Sequence, residues 1–147
     1  MRRILALVAA SALVAPLTTA FAGASGTGAK LQLRRTGVGM ILVNSRGFTV
    51  YVFTRDGVNK DNCAKFGGCL SIWPPVTTSG TAIAGRGVSS RLIGTITLKN
   101  GVKQVTYAGH PLYTYVADSG PGQTFYVNVS QFGGRWPAVS AAGNEVK

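Results

Sequence analysis

The chain has 147 residues, of which 15 are Lys or Arg and only four are Asp or Glu, for a formal net charge of +11. That length bounds it to one domain or two very small ones. A single histidine and two cysteines leave too few ligands for an ordinary zinc site, and a balance this basic favours polyanions as partners.

Arg2 and Arg3 open the chain, Ile4 to Leu17 is almost wholly apolar, and Ala20-Phe21-Ala22 sets small residues where a signal peptidase reads. A secretory signal over residues 1–22, cleaved after Ala22, is the expectation. The apolar run is about 14 residues where a spanning helix needs about 20, and Pro16 interrupts it. No transmembrane anchor is therefore expected, and the mature protein is read as soluble, exported to the periplasm or the medium. Residues 23–40 follow as a flexible N-terminal segment.

A first unit is expected over residues 41–80. Val50, Val52 and Thr54 alternate with Tyr51, Phe53 and Arg55, the period of a strand with aromatics on one face and β-branched residues on the other. Asp56-Gly57 supplies a turn, in which the aspartate is expected to bond the following backbone. The run Asp56 to Asn62 is rich in oxygen ligands but lacks the spacing and closing glutamate of a calcium loop. Cys63 and Cys69 are expected to form a disulfide in an oxidising compartment; a redox or metal-binding pair is the rival reading. Trp73-Pro74 closes the unit.

Residues 81–104 read as connecting strands. Asn100-Gly101, between Ile96-Thr97-Leu98 and Val102 to Tyr107, is a hairpin signal. A second unit over 105–140 brings His110, then Leu112, Thr114 and Val116 alternating with Tyr113 and Tyr115, then Asp118-Ser119-Gly120 as a turn. Residues 141–147 are a tail.

The two units are copies. Val43 to Asp56 aligns without a gap on Val105 to Asp118 at an offset of 62, Phe66-Gly67-Gly68 matches Phe132-Gly133-Gly134, and Trp73-Pro74 matches Trp136-Pro137. Repeats of this size are each too small to bury a core, so they are expected to pair. The expectation is an all-β fold: a single antiparallel domain of two tandem repeats with approximate two-fold symmetry and little helix apart from the signal.

Tyr51 to Asp56 and Tyr113 to Asp118 both fit Y-x-[FWY]-x-x-D. With the segment from Cys63 through Trp73-Pro74-Pro75 and the string Gln104 to Tyr113, this pattern resembles a secreted-repeat family of unknown function that includes many predicted lipoproteins. The resemblance implies an exported envelope protein with two repeats and carries no established activity. Many members have a lipid-modified cysteine after the signal, and this chain has none there.

No catalytic motif stands out, and no cofactor is implied. Asp118-Ser119-Gly120 matches an aspartic-protease element, yet the other unit reads Asp56-Gly57, and a hydrolase would need the two carboxyl groups close together in a cleft. Candidate ligand-binding residues are His110, the aromatics Tyr51, Phe53, Tyr113 and Tyr115, which either face a ligand or form the core between repeats, and Asp56 and Asp118. The basic residues are scattered, with Arg34-Arg35 the only adjacent pair after the signal, so no specific nucleic acid is implied. The leading reading is a non-enzymatic module whose basic surface holds anionic cell-surface polymers or lipid headgroups. The alternative is a periplasmic redox, metal- or haem-handling protein using His110 with Cys63 and Cys69. Oligomeric state is not written in the sequence.

Overall fold

A computed structural model describes residues 28–147; the expected signal and its cleavage after Ala22 lie outside the described residues. Strands β1 (Lys30–Thr36) and β2 (Gly39–Asn44) form an antiparallel hairpin, with Leu31 opposite Asn44 and Thr36 opposite Gly39. A short 3-10 turn at Cys63–Lys65 and a one-turn helix α1 (Cys69–Ile72) follow. Next come β3 (Thr77–Thr78) and β4 (Ile83–Ala84), the latter parallel to β1. A second hairpin pairs β5 (Ile93–Thr97) with β6 (Lys103–Tyr107), and β7 (His110–Pro111) folds back on β6. Strands β8 (Val129–Gln131) and β9 (Gly134–Trp136) make a third hairpin. β10 (Ala138–Val139) closes against β11 (Glu145–Val146).

The expected Asn100-Gly101 turn is present. Gly101 takes φ +81°, a conformation glycine adopts without steric cost, and the Leu98 N–H donates to Val102 O at 2.8 Å. Residues 30–40 differ from the flexible segment expected of them: they build the β1–β2 hairpin, because fully buried Leu31 anchors β1 in the apolar core and Leu33 packs against it. Within the tail, Glu145 and Val146 pair with β10.

Two extended segments run between the halves. Val50 and Val52 point into an aliphatic cluster with Leu31, Leu42, Val105 and Leu112, while Tyr51 and Phe53 point into an aromatic cluster with Tyr113, Trp73 and Trp136. Strand alternation thus sends the β-branched residues to one core and the aromatics to another, and both faces are buried. Where the segments cross, Tyr51 N–H donates to Tyr113 O at 2.8 Å and Tyr113 N–H donates to Tyr51 O at 2.9 Å. This exchange between equivalent residues marks the pseudo-two-fold axis. Flanking bonds obey it too: Val52 N–H donates to Pro137 O at 3.0 Å, and its counterpart Thr114 N–H to Pro74 O at 2.9 Å. The ungapped alignment needs one correction. Val50 N–H reaches Leu42 O whereas its equivalent Leu112 N–H reaches Val105 O, so the first copy holds one extra residue in the turn around Ser45-Arg46-Gly47.

Around the axis the rings form a column. Trp73 and Trp136 stack with centroids 4.0 Å apart and planes 3° from parallel; Tyr115 covers Trp73 at 4.2 Å and Phe53 covers Trp136 at 4.2 Å. Tyr51 meets Trp73 edge-on at 5.1 Å, and Tyr113 meets Trp136 edge-on at 5.1 Å. Such pairs contribute about 0.5–1.5 kcal/mol each beyond their buried area. Because each tryptophan belongs to a different repeat, Trp136→Ala is expected to destabilise the whole domain by about 3–5 kcal/mol. Urea unfolding checks it, and loss from the second repeat alone, seen as two separate transitions, would contradict a shared core.

Candidate functional site

The paired motifs converge on two crossed hydrogen bonds. The Tyr51 hydroxyl donates to Asp118 Oδ2 at 2.9 Å, and the Tyr113 hydroxyl donates to Asp56 Oδ2 at 2.8 Å. The tyrosine of each Y-x-[FWY]-x-x-D motif therefore bonds the aspartate of the other. The spacing explains itself in this geometry: four residues lie between the tyrosine, fixed at the axis, and the aspartate that folds back to reach the tyrosine of the other motif.

Each carboxylate is treated differently by its loop. Asp56 Oδ1 also accepts the Asn62 N–H at 2.7 Å, so it ties down the loop that follows, as its turn position leads one to expect. Asp118 departs from that expectation. Its bond goes across the molecule, while the turn is held by Gln123, whose Oε1 accepts the Ser119 N–H at 2.8 Å. Asp118 Oδ1 is buried with no protein partner.

Burial dominates the electrostatics here. It lifts the Asp56 carboxyl to about 6, against a smaller downward pull from the Asn62 N–H and the Tyr113 hydroxyl. Burial also raises Asp118, with the Tyr51 hydroxyl opposing, and pushes both tyrosines well above the usual phenol range. A phenol held neutral beside a carboxylate is a hydrogen-bond donor and not a nucleophile, so the arrangement clasps two repeats together.

The aromatic candidates meet the same fate. Tyr51, Phe53 and Tyr113 are buried in the core, and Tyr115 is half-buried between Trp73 and Tyr126. They offer no exposed stacking platform. Cys63 and Cys69 form the expected disulfide, with Cα atoms 5.5 Å apart, and their sulfurs are spent as ligands. His110 is half-buried on β7, its backbone paired with Tyr107. Among the described residues no three His, Cys, Asp or Glu side chains gather where they could hold a metal ion.

Two contributors carry no local signal in the sequence. Gln131 accepts the Trp73 indole N–H at 2.7 Å, and Tyr126 extends the ring column beyond Tyr115. Tyr126 lies in the loop before β8 and Gln131 ends that strand, outside the stretches in which the two repeats match.

A family model described as a secreted repeat of unknown function matches the chain twice, over residues 34–77 and 94–140. No curated protein and no solved structure matches it.

The clasp makes stability depend on pH in a defined sense. Folded Asp56 holds its proton more tightly than it does in the unfolded chain, so its contribution favours the fold fully below the ordinary aspartate value of 3.8 and is lost as pH rises through about 6. Asp56→Asn is expected to flatten that part of the stability profile, read by urea midpoints across the same range. Tyr113→Phe removes a donor to the carboxylate and is expected to move the Asp56 titration further up, read by carboxyl carbon chemical shifts; an unmoved titration would mean that the hydroxyl does not hold Asp56. Reducing the disulfide, which closes a short loop, is expected to cost about 2 kcal/mol, measured by the same unfolding experiment with and without reductant.

Proposed function

The chain belongs to this family of secreted repeats, and on that premise we propose that it works outside the cytoplasm as a non-enzymatic β-module whose surface holds anionic envelope material. What supports this reading is the disposition of charge. All 13 Lys and Arg side chains within residues 28–147 are exposed, and among the described residues the one ion pair joins Lys147 to Glu145 at 3.6 Å. Two of the four acidic residues, Asp56 and Asp118, are turned onto tyrosines inside the fold. Negative charge is drawn inward and positive charge is left outside, so the surface field is more cationic than the composition alone conveys.

A scatter of unpaired cations attracts anionic polymers or headgroups without reading a sequence or a shape. Each Lys or Arg near an anionic lipid surface contributes about 1 kcal/mol, within a Debye length. The side chains in the fold interior are occupied in holding the repeats together, which leaves the surface as the part that meets a partner. Among the described residues no helix is long and apolar enough to cross a membrane, and an electrostatic hold on the envelope needs none. The redox or metal-handling alternative is not favoured by the geometry, because its two cysteines are bridged and structural.

The test is sedimentation with vesicles containing phosphatidylglycerol, compared with vesicles of phosphatidylcholine alone. Binding to the anionic vesicles is expected to weaken by tenfold or more between about 0.1 M and about 1 M salt, as the screening length falls from about 10 Å to about 3 Å. Equal binding to both kinds of vesicle, or affinity indifferent to salt, would overturn the reading.

A further inference from the structure

The two copies differ most where a loop of one repeat approaches the hairpin of the other. The loops dock alike at their start: Asn59 N–H donates to Gly109 O at 2.7 Å, and Gly122 N–H donates to Gly47 O at 2.9 Å. Beyond that point the resemblance ends. In register, Arg34 lies opposite Ile41 on the first hairpin as Ile96 lies opposite Gln104 on the second, so Ile96 stands in the second copy where Arg34 stands in the first. The Arg34 side chain lies against Gly47 and Gly122, so close that a methyl group built on Gly122 would sit 2.7 Å from its Nε. It lies between hairpin and loop, beside a smaller hollow of about 370 Å³ that Arg34, Gly47 and Pro121 help to line. Ile96 is shorter, and a larger cleft of about 530 Å³ lies beside it between the disulfide loop and the tip of the second hairpin.

That cleft has two kinds of lining. Leu70, Ile96 and Leu98 are half-buried apolar side chains along it, and Ile96 and Leu98 join none of the three core clusters. Lys60, Lys65 and Lys99 are exposed cations on the same cleft. Asp61 also lines it; its Oδ1 accepts the Ala64 N–H at 3.0 Å, and its Oδ2 is buried without a hydrogen-bond partner, so the three lysines outnumber one carboxylate on this cleft. The disulfide holds Ala64 and Lys65 in one wall, and the Leu98–Val102 turn holds the other. A concave site of this size, mostly apolar with a few convergent charges, is of the kind that takes small ligands.

We propose that this cleft binds an anionic amphiphile, its acyl chain laid on Leu70, Ile96 and Leu98 and its headgroup held by Lys60, Lys65 and Lys99. The charge complementarity selects the head and the uncovered apolar face selects the tail; a polymeric anion without a tail would leave that face in water. The inference rests on the reading that the chain binds anionic envelope material, and it narrows that material to a lipid-type ligand at one place.

The first copy supplies the decisive variant. Ile96→Arg installs the longer side chain that stands at the equivalent position, and it adds a positive charge. Titration of the protein with monomeric dodecyl phosphate, followed by calorimetry and by methyl shifts of Leu70 and Leu98, is expected to show binding that dodecyl maltoside and inorganic phosphate do not reproduce. Ile96→Arg is expected to weaken dodecyl phosphate binding by about tenfold or more, the scale on which lost burial of a few methylenes acts, while salt-dependent binding to anionic vesicles persists. Lys65→Glu with Lys99→Glu, on exposed positions where folding is not at stake, is expected to weaken it similarly. Undiminished dodecyl phosphate binding in the Ile96→Arg protein would overturn the cleft, as would equal binding of dodecyl maltoside. Loss of vesicle binding in the unaltered protein, with dodecyl phosphate still held, would instead count against the wider electrostatic reading and leave the cleft standing.

Discussion

Everything in this fold hangs on the crossing of two equivalent extended segments at Tyr51 and Tyr113. Their amides and carbonyls exchange a pair of hydrogen bonds, and their hydroxyls reach past one another to Asp118 and Asp56. A buried carboxylate and a buried phenol are each costly without a partner. Placing the partner in the other copy turns that cost into a requirement for both copies at once. The tryptophans repeat the same logic with apolar surface: Trp73 and Trp136 stack on each other and are capped from either side by the second aromatic of the opposite motif, Tyr115 on Trp73 and Phe53 on Trp136. A repeat without its twin would expose an indole face and strand a carboxylate.

Much of this is legible in the sequence because duplication leaves a signature that propensity alone does not. The alternation of Val50 and Val52 with Tyr51 and Phe53 identifies an extended segment, and its recurrence at Leu112 to Tyr115 identifies the pairing partner. What alternation cannot convey is that both faces are buried, in two chemically different clusters; that depends on segments far apart in the chain, such as Val88 and Val139 on one side and Trp136 on the other. The hairpin at residues 30–44 is masked for a related reason. Arg34, Arg35 and the surrounding glycines read as a loose segment, and the burial of Leu31 in the aliphatic cluster, with β4 paired alongside, makes it a strand. Candidate site residues were legible as a set but not as a function: the motif aromatics and aspartates do converge, yet on each other. Asp118 illustrates the difficulty, since a turn-forming aspartate and one that reaches a tyrosine on a distant strand have the same local sequence.

With the interior committed to holding the repeats together, individuality is left to the surface and to the places where the copies diverge. The disulfide loop occurs in only one copy. Arg34, packed against Gly47 and Gly122 in the first copy, is replaced by Ile96 in the second, where a larger, lysine-edged cleft lies. Duplicated folds can keep the residues at the axis under joint constraint while their peripheral loops vary independently, and a binding site is most readily built where that constraint is weakest.

The most direct measurement is the folding of each half by itself. Chains covering residues 28–89 and 90–147, prepared separately and then mixed, report whether the crossing strands create the core or merely join two finished ones. Interlocked repeats predict that neither half gives near-ultraviolet dichroism or a cooperative melt alone and that mixing restores both. A half that melts cooperatively in isolation would contradict the shared clasp.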